Sequence, residues 1–126
     1  MILSLDTHVL LCALSAPEQL SKPARDAIED PANIVFVSAA VAWEIEIKAA
    51  LGKLRAPSDL VNQLAAANFQ ELPITVEHTL ALKQLPNLHR DPFDRIMLAQ
   101  AKAAGLTFVT ADPEVLQYPG TFLRGR

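Results

Sequence analysis

The chain has 126 residues, 51% of them hydrophobic, and a formal net charge of −3, which supports one domain over residues 1–126 and argues against a protein that coats nucleic acid through an overall basic field. No apolar run approaches the roughly 20 residues that a bilayer span needs, and no basic segment precedes the first apolar run, so we expect no membrane contact. Cys12, the only cysteine, excludes an internal disulfide and predicts a buried thiol in a reducing, cytoplasmic compartment.

Short apolar runs alternate with capped helical segments along the chain. Ser, Thr or Asp residues and prolines mark the helix starts, and Gly52 and Gly105 mark two helix ends. In chain order, the predicted elements are strand 2–5, a helix capped by Asp6 or Thr7, helix 21–30, strand 34–37, helix 38–51, helix 59–67, strand 69–72, helix 76–85, loop 87–91, helix 92–104, strand 107–110, a further cap signal at Asp112 and Pro113, and edge strand 121–123.

This alternation of strands and helices is typical of an α/β protein with a parallel sheet. The strand segments are apolar without polar alternation, which indicates that both faces of the sheet are covered. We therefore predict a three-layer α/β/α sandwich with a mainly parallel sheet of four to five strands. In such folds the carboxyl ends of the strands meet at one crevice, so residues far apart in sequence can come together there.

Four acidic residues lie where the predicted secondary structure changes. Asp6 follows the first strand, Glu44 lies in the long helix, and Asp94 and Asp112 follow breaks in the predicted secondary structure. Carboxylates without a Cys or His cage suit Mg²⁺ or Mn²⁺, which prefer oxygen ligands and keep several waters. The pattern predicts metal-assisted phosphoryl chemistry at these four residues.

Each of these acids also has a purely structural explanation. Asp6 and Asp112 can be helix N-caps, and Asp94 can be an acid in a first helical turn. Glu44 can pair with Lys48, which lies four residues further along the helix. A residue that caps a helix can also bind a metal ion, so these explanations do not exclude a metal site.

The helix that carries Glu44 has an apolar stripe that predicts its core face. The stripe consists of Ala40, Trp43, Ile47, Ala50 and Leu51. Glu44 falls at the edge of this stripe, where a carboxylate needs a partner because burial of an unpaired charge is costly. Either a metal ion or Lys48 can supply that partner, and we favour the metal. Trp43 and the apolar flank of this helix are interpreted as core rather than as an interface.

The basic residues that can contact RNA form a thin rim. They are Lys48, Lys53, Arg55, His89, Arg90 and Arg95. A local rim of this kind is compatible with an acidic site, although each residue can equally belong to a solvated face. His8 is interpreted as structural, and the chain has no nucleophile motif of the serine or cysteine kind.

Four segments together resemble the PIN-domain family and, within it, the VapC-type toxins of bacterial toxin–antitoxin pairs. They are LSLDTHVLLCAL, SAAVAWEIEIKAALGKL, HRDPFDRIMLAQA and TFVTADP, in family order over nearly the whole chain. The resemblance implies an endoribonuclease dependent on Mg²⁺ or Mn²⁺, whose acids map onto Asp6, Glu44 and Asp94, with Asp112 as the fourth. By the family's chemistry, the metal positions and deprotonates water for attack on an RNA phosphodiester. It also implies a homodimer that a small antitoxin protein silences.

Two other enzyme classes fit the chain less well. A receiver domain needs a pair of acids after strand one, but Asp6 stands there alone. It also needs an acid after strand three, where this chain has Pro73. A phosphatase with an Asp nucleophile needs a second Asp at the position of His8. A catalytically silent PIN-like module that binds RNA or protein, and a housekeeping PIN nuclease, are the alternatives that stay open.

Overall fold

The computed structural model describes residues 1–88 and 91–126. Within these ranges, five parallel strands form one sheet in the order β3-β2-β1-β4-β5. The strands are β1 (Ile2–Leu5), β2 (Ile34–Ser38), β3 (Gln70–Leu72), β4 (Thr107–Thr110) and β5 (Phe122–Arg124). The predicted α/β sandwich with a parallel sheet is confirmed, and its upper estimate of five strands is the correct one.

Six α-helices connect the strands in the described part of the chain. They are α1 (Thr7–Ser15), α2 (Lys22–Glu29), α3 (Ala39–Ala50), α4 (Leu60–Ala66), α5 (Val76–Leu80) and α6 (Pro92–Ala104). The strand order runs outward from β1 in both directions. Because parallel connections are right-handed, connections in opposite directions place helices on opposite faces of the sheet. The order reverses between β1 and β4, where a crevice is expected at the carboxyl ends.

The central strands are buried on both faces. Leu3 and Leu5 of β1 and Phe108 and Val109 of β4 have no exposed surface. The polar residues Ser4 of β1 and Thr110 of β4 are buried as well, as expected for central strands that are covered on both faces. The predicted burial of Cys12 is confirmed, and no helix in the described residues is both long and apolar enough to cross a bilayer.

Several helix starts and ends follow the predicted caps. Asp6 is the N-cap of α1, Ser38 is the N-cap of α3, and Asp91 caps α6, with Pro92 at the first helical position. Each of the three side chains accepts a backbone N–H that would otherwise have no partner inside the helix. Gly105 ends α6 at φ +68°, a conformation that glycine adopts without strain.

Other predicted boundaries differ from the structure. α5 ends at Leu80, and Ala81–Gln84 form a tighter 3₁₀ turn before Pro86, which cannot continue a helix. Asp112 does not start an α-helix, since only a 3₁₀ turn at Val115–Gln117 follows it. The helix predicted at 59–67 and the strands predicted at 69–72 and 121–123 each shift by one residue at one or both ends.

The predicted core face of α3 is wrong. Trp43 is 59% exposed and Leu51 is 64% exposed, while the buried residues of the helix are Ala40, Val41, Glu44 and Ile45. The helix buries a face on which Glu44 is central rather than marginal. The apolar side chains of Trp43 and Phe93 pack edge to face at 5.1 Å between ring centroids, which covers part of the indole at the surface.

Candidate functional site

All four predicted site residues line one cavity of about 600 Å³. Asp6 directly follows β1 and Asp112 lies just beyond β4, so adjacent parallel strands bring both to the same end of the sheet. Glu44 reaches the cavity from α3, and Asp94 reaches it from the first turn of α6. The fold thus gathers at one place the four acids that the sequence singles out.

Asp6 is a buried carboxylate held by two donors. Its Oδ1 accepts the backbone N–H of Val9 at 2.8 Å, and its Oδ2 accepts the hydroxyl of Thr110 at 2.5 Å. Burial raises the pKa of Asp6, and the nearby charge of Asp112 raises it further, whereas the bonds from Thr110 and Val9 and the charge of His8 act in the opposite direction. A cation in the cavity would lower the pKa of Asp6, because a nearby positive charge stabilises the ionised carboxylate.

Glu44 is buried and also has two donors. Its Oε1 accepts the hydroxyl of Thr7, and its Oε2 accepts the ammonium of Lys48, both at 2.5 Å. The hydrogen bond to Glu44 is the main cause that raises the pKa of Lys48, and the charges of Asp91 and Asp94 add to it. Lys48, one of the two partners that the sequence allows for Glu44, is in direct contact with it.

The start of α6 brings two acids to the cavity. Asp94 is partly exposed, and Met97, Leu98 and Ala101, which follow it along the helix, are buried. Asp91 accepts the N–H groups of Phe93 and Asp94 and also lines the cavity. Asp91 was not among the candidate site residues, because its place at the cavity follows from how α6 packs and not from the sequence nearby.

Asp112 has a structural role at the cavity rim. Its Oδ1 accepts the N–H of Glu114 at 2.9 Å, and its own N–H donates to the hydroxyl of Thr110 at 3.1 Å. Thr110 therefore links Asp112 to Asp6, since the same hydroxyl donates to Asp6. Asp112 was predicted to cap a helix, but it accepts only the N–H of Glu114, just before the 3₁₀ turn at Val115–Gln117.

The cavity offers the donor types that a hard divalent cation prefers. In the described part of the chain, five carboxylates line it, together with the cationic side chains of Lys48 and Arg126 and the imidazole of His8. In residues 1–88 and 91–126, however, no three His, Cys, Asp or Glu side chains are close enough together to hold one ion. Glu44 is engaged by the ammonium of Lys48, so an ion shared with Glu44 competes with this contact, whereas the hydroxyl of Thr110 can stay on Asp6.

The basic rim differs from the sequence prediction. Lys53 and Arg55 are exposed, whereas Arg95 donates to the carbonyl of Pro86 and to the hydroxyl of Tyr118. His89 and Arg90 lie outside the described residues. Arg126, which the predicted rim does not include, lines the cavity, since it lies just beyond β5, the strand that pairs with β4.

Comparison with known proteins assigns the family. The family model described as "PIN domain" matches residues 3–120, and the chain belongs to the PIN-domain family. No curated protein sequence matches the chain significantly.

Solved structures share the fold at low sequence identity. A chain of VapBC2 from Rickettsia felis, bound to a promoter DNA fragment, is 17% identical with a TM-score of 0.75 and full coverage of both chains. A chain of DNA-bound VapBC from Salmonella typhimurium is 16% identical with a TM-score of 0.65 and 98% coverage of each chain. A chain of FitAcB from Neisseria gonorrhoeae is 23% identical with a TM-score of 0.59, covering 91% of this chain and 90% of that one.

Proposed function

We propose that this protein is a VapC-type toxin of a toxin–antitoxin pair and cleaves RNA as an endoribonuclease dependent on Mg²⁺ or Mn²⁺. The observation that carries the proposal is the convergence of Asp6, Glu44, Asp94 and Asp112 on one cavity of a PIN-domain sheet. The VapBC names of the structural neighbours support the toxin role. We also propose that residues 1–126 form a single PIN domain that acts in the cytoplasm.

In this mechanism Asp6, Glu44 and Asp94 would hold the cation, with Asp112 as a fourth ligand. Such an ion would activate water and neutralise charge on the reacting phosphate. The hydroxyls of Thr7 and Thr110 orient Glu44 and Asp6, so these carboxylates are held in place before substrate arrives.

Binding of the RNA backbone falls to the few basic residues at the cavity. Arg126 lines the cavity and donates to Gln19 rather than to an acid. Its guanidinium is therefore able to turn to a phosphate at the cost of one weak, exposed bond. The net charge of −3 gives little general attraction, so substrate recognition depends on such local contacts.

We further propose that the protein is a homodimer and binds a small antitoxin protein. The neighbour from Klebsiella pneumoniae is described as a toxin-antitoxin complex, which supports such a partner. Trp43 and Leu51 expose large apolar surfaces on α3. Exposed apolar side chains of this size are common at protein interfaces, so α3 offers one surface for these contacts.

The direct test is incubation of the purified protein with a panel of RNAs and Mg²⁺. We expect cleavage by the wild type that stops in EDTA and is lost in Asp6→Asn and Asp94→Asn. Asp26→Asn is the matched control, because Asp26 is an exposed acid that pairs with Lys22 away from the cavity. Cleavage in EDTA, or cleavage unaffected by both site substitutions, would contradict the proposal.

The toxin role has its own test in living cells. Expression of the chain alone should arrest growth, and co-expression with a small adjacent reading frame should restore it. Unimpaired growth in the first case would favour a housekeeping PIN nuclease. The Asp6→Asn variant should be harmless in either case if growth arrest depends on cleavage.

A catalytically silent module that binds RNA or protein is the second candidate. It is favoured by the pairing of Glu44 with Lys48 and by the lack, among the described side chains, of a ready group of three metal ligands. This candidate predicts RNA binding without cleavage in any divalent metal. The same RNA panel, read by both a binding assay and a cleavage assay, separates the two.

A further inference from the structure

One lysine lies at the acidic cavity in direct contact with a buried carboxylate. Lys48 donates from Nζ to Oε2 of Glu44 at 2.5 Å, and the side chains are 42% and 6% exposed respectively. The carboxylate is fixed by burial and by its bond from Thr7. The ammonium stands on a flexible stem with access to water. Lys48 is therefore the member of the pair that can leave.

Two further acids lie near Lys48 in the described part of the chain. Asp91 and Asp94, at the start of α6, line the same cavity, and both attract the Lys48 ammonium. A positive charge at this place performs part of the electrostatic work of a divalent ion, because it compensates a carboxylate that would be costly to bury alone. Lys48 and an ion would thus each compensate the negative charge of buried Glu44.

Building on the proposed function, we propose that Lys48 is an internal competitor of the divalent cation. Its ammonium holds Glu44 in the metal-free protein and must leave Oε2 before Glu44 can join a shared metal site. The competition lowers the affinity for the ion and explains why the carboxylates are collected at one cavity without forming a ready group of three among the described residues. Lys48 acts here through Glu44 and is a positioning residue.

The test is calorimetric titration of the whole purified chain with Mn²⁺, in the wild type and in Lys48→Met. Methionine keeps most of the apolar stem and removes the ammonium, so Glu44 becomes open to the ion. We expect the Mn²⁺ affinity to rise on the order of tenfold, the scale for loss of one competing contact. Lys48→Arg keeps a cation and should bind no more tightly than the wild type.

Arg126→Met is the matched control for a general change of charge. It removes one positive charge from the same cavity, but Arg126 donates to Gln19 and not to an acid. An equal gain in affinity for Arg126→Met would assign the effect to the overall field and overturn the competition. So would an undiminished gain from Lys48→Met in a Glu44→Gln background, where the contested carboxylate is absent.

Thermal unfolding supplies a readout that needs no activity. In EDTA, Lys48→Met should unfold at a lower temperature than the wild type because Glu44 has lost its partner, and saturating Mn²⁺ should remove the difference. If this variant does not fold in EDTA, Lys48→Gln, which retains a hydrogen-bond donor, takes its place. An identical deficit with and without Mn²⁺ would overturn the proposal.

The two proposals fail in different ways. A wild-type protein and variants that all bind no Mn²⁺ overturn both the metal-dependent function and the competition. Wild-type binding that Lys48→Met leaves unchanged overturns the competition alone.

Discussion

At the scale of single residues, two threonine hydroxyls determine how the buried acids face the cavity. Thr7 donates to Glu44 and Thr110 donates to Asp6, and each carboxylate has a second donor on its other oxygen. A buried carboxylate with both oxygens bound has little freedom to rotate. The site is thus oriented by neutral hydroxyls, which add no charge that would compete with a cation.

Replacement of Thr110 by valine tests this arrangement. Thr110→Val leaves Asp6 Oδ2 without its hydroxyl donor and the N–H of Asp112 without its acceptor. We expect a loss of about 1 to 3 kcal/mol in the free energy of unfolding, measured by urea denaturation, together with weaker RNA cleavage. Thr110→Ser should restore both, and Thr79→Val, which removes an exposed hydroxyl, should be nearly neutral. A fully stable and active Thr110→Val protein would contradict this role.

The raised pKa of Asp6 predicts that its charge destabilises the metal-free fold. For an acid whose folded pKa lies above its ordinary value of 3.8, stability is greatest below that value and falls as pH rises through the folded pKa. Asp6→Asn should therefore stabilise the protein in EDTA at pH 7.

The comparison of unfolding curves across pH checks this sign. The advantage of Asp6→Asn should shrink as the pH falls and be lost well below 3.8, where wild-type Asp6 is protonated in both the folded and the unfolded state. The exposed-site variant Asp26→Asn provides the baseline for acid titration elsewhere. An advantage that is the same at pH 7 and at pH 3.5 would show that ionisation of Asp6 is not its cause.

At the scale of elements, α6 shows how local signals fix a helix that carries site residues. Asp91 caps it, Pro92 occupies its first position, and Gly105 ends it. These signals depend only on nearby residues in the sequence, which is why both ends of α6 were predicted correctly. The same start places Asp91 and Asp94 at the cavity.

The left-handed conformation of Gly105 makes a specific prediction. A Cβ at this residue meets nothing within 4 Å, so Gly105→Ala introduces backbone strain without a steric clash. We expect a loss of about 1 kcal/mol in the free energy of unfolding. Gly105→Asn should cost less, because asparagine tolerates this conformation better. Equal stability of Gly105→Ala and the wild type would contradict the assignment of the end of α6.

The errors of sequence prediction arise where a neighbour distant in sequence decides. The apolar stripe of α3 pointed to Trp43 and Leu51 as core residues, but both are exposed, while Glu44 is buried. A single sequence does not reveal which face of a helix the cavity and α6 cover. The acid at Asp91 and the base at Arg126 were missed for the same reason, since their place at the cavity follows from the packing of the sheet ends.

At the scale of the whole molecule, the sheet order explains why a weakly acidic chain has a strongly acidic cavity. β1 and β4 are neighbours although about 100 residues separate them, and the reversal of strand order beside β1 opens a crevice at their carboxyl ends. Among the residues that the structure describes, five of the 14 acids line the cavity, but only two of the ten lysines and arginines do. The fold concentrates negative charge at the cavity to a degree that the net charge of −3 does not indicate.

This concentration of charge predicts that divalent cations stabilise the whole fold. An ion that binds only the folded state adds about 2.7 kcal/mol at 100 times its Kd, so Mg²⁺ or Mn²⁺ should raise the Tm of the wild type in proportion to the logarithm of its concentration. Asp94→Asn should lose most of this shift because it removes a carboxylate from the cavity, whereas Asp26→Asn should keep it.

The measurement is thermal unfolding followed over a series of Mn²⁺ concentrations, with KCl at matched ionic strength to separate specific binding from screening. Removal of the ion with EDTA should return the Tm to its starting value. If KCl produces the same shift as Mn²⁺, or if Asp94→Asn and Asp26→Asn respond alike, the cavity does not hold a divalent cation, and a silent binding module becomes the better description.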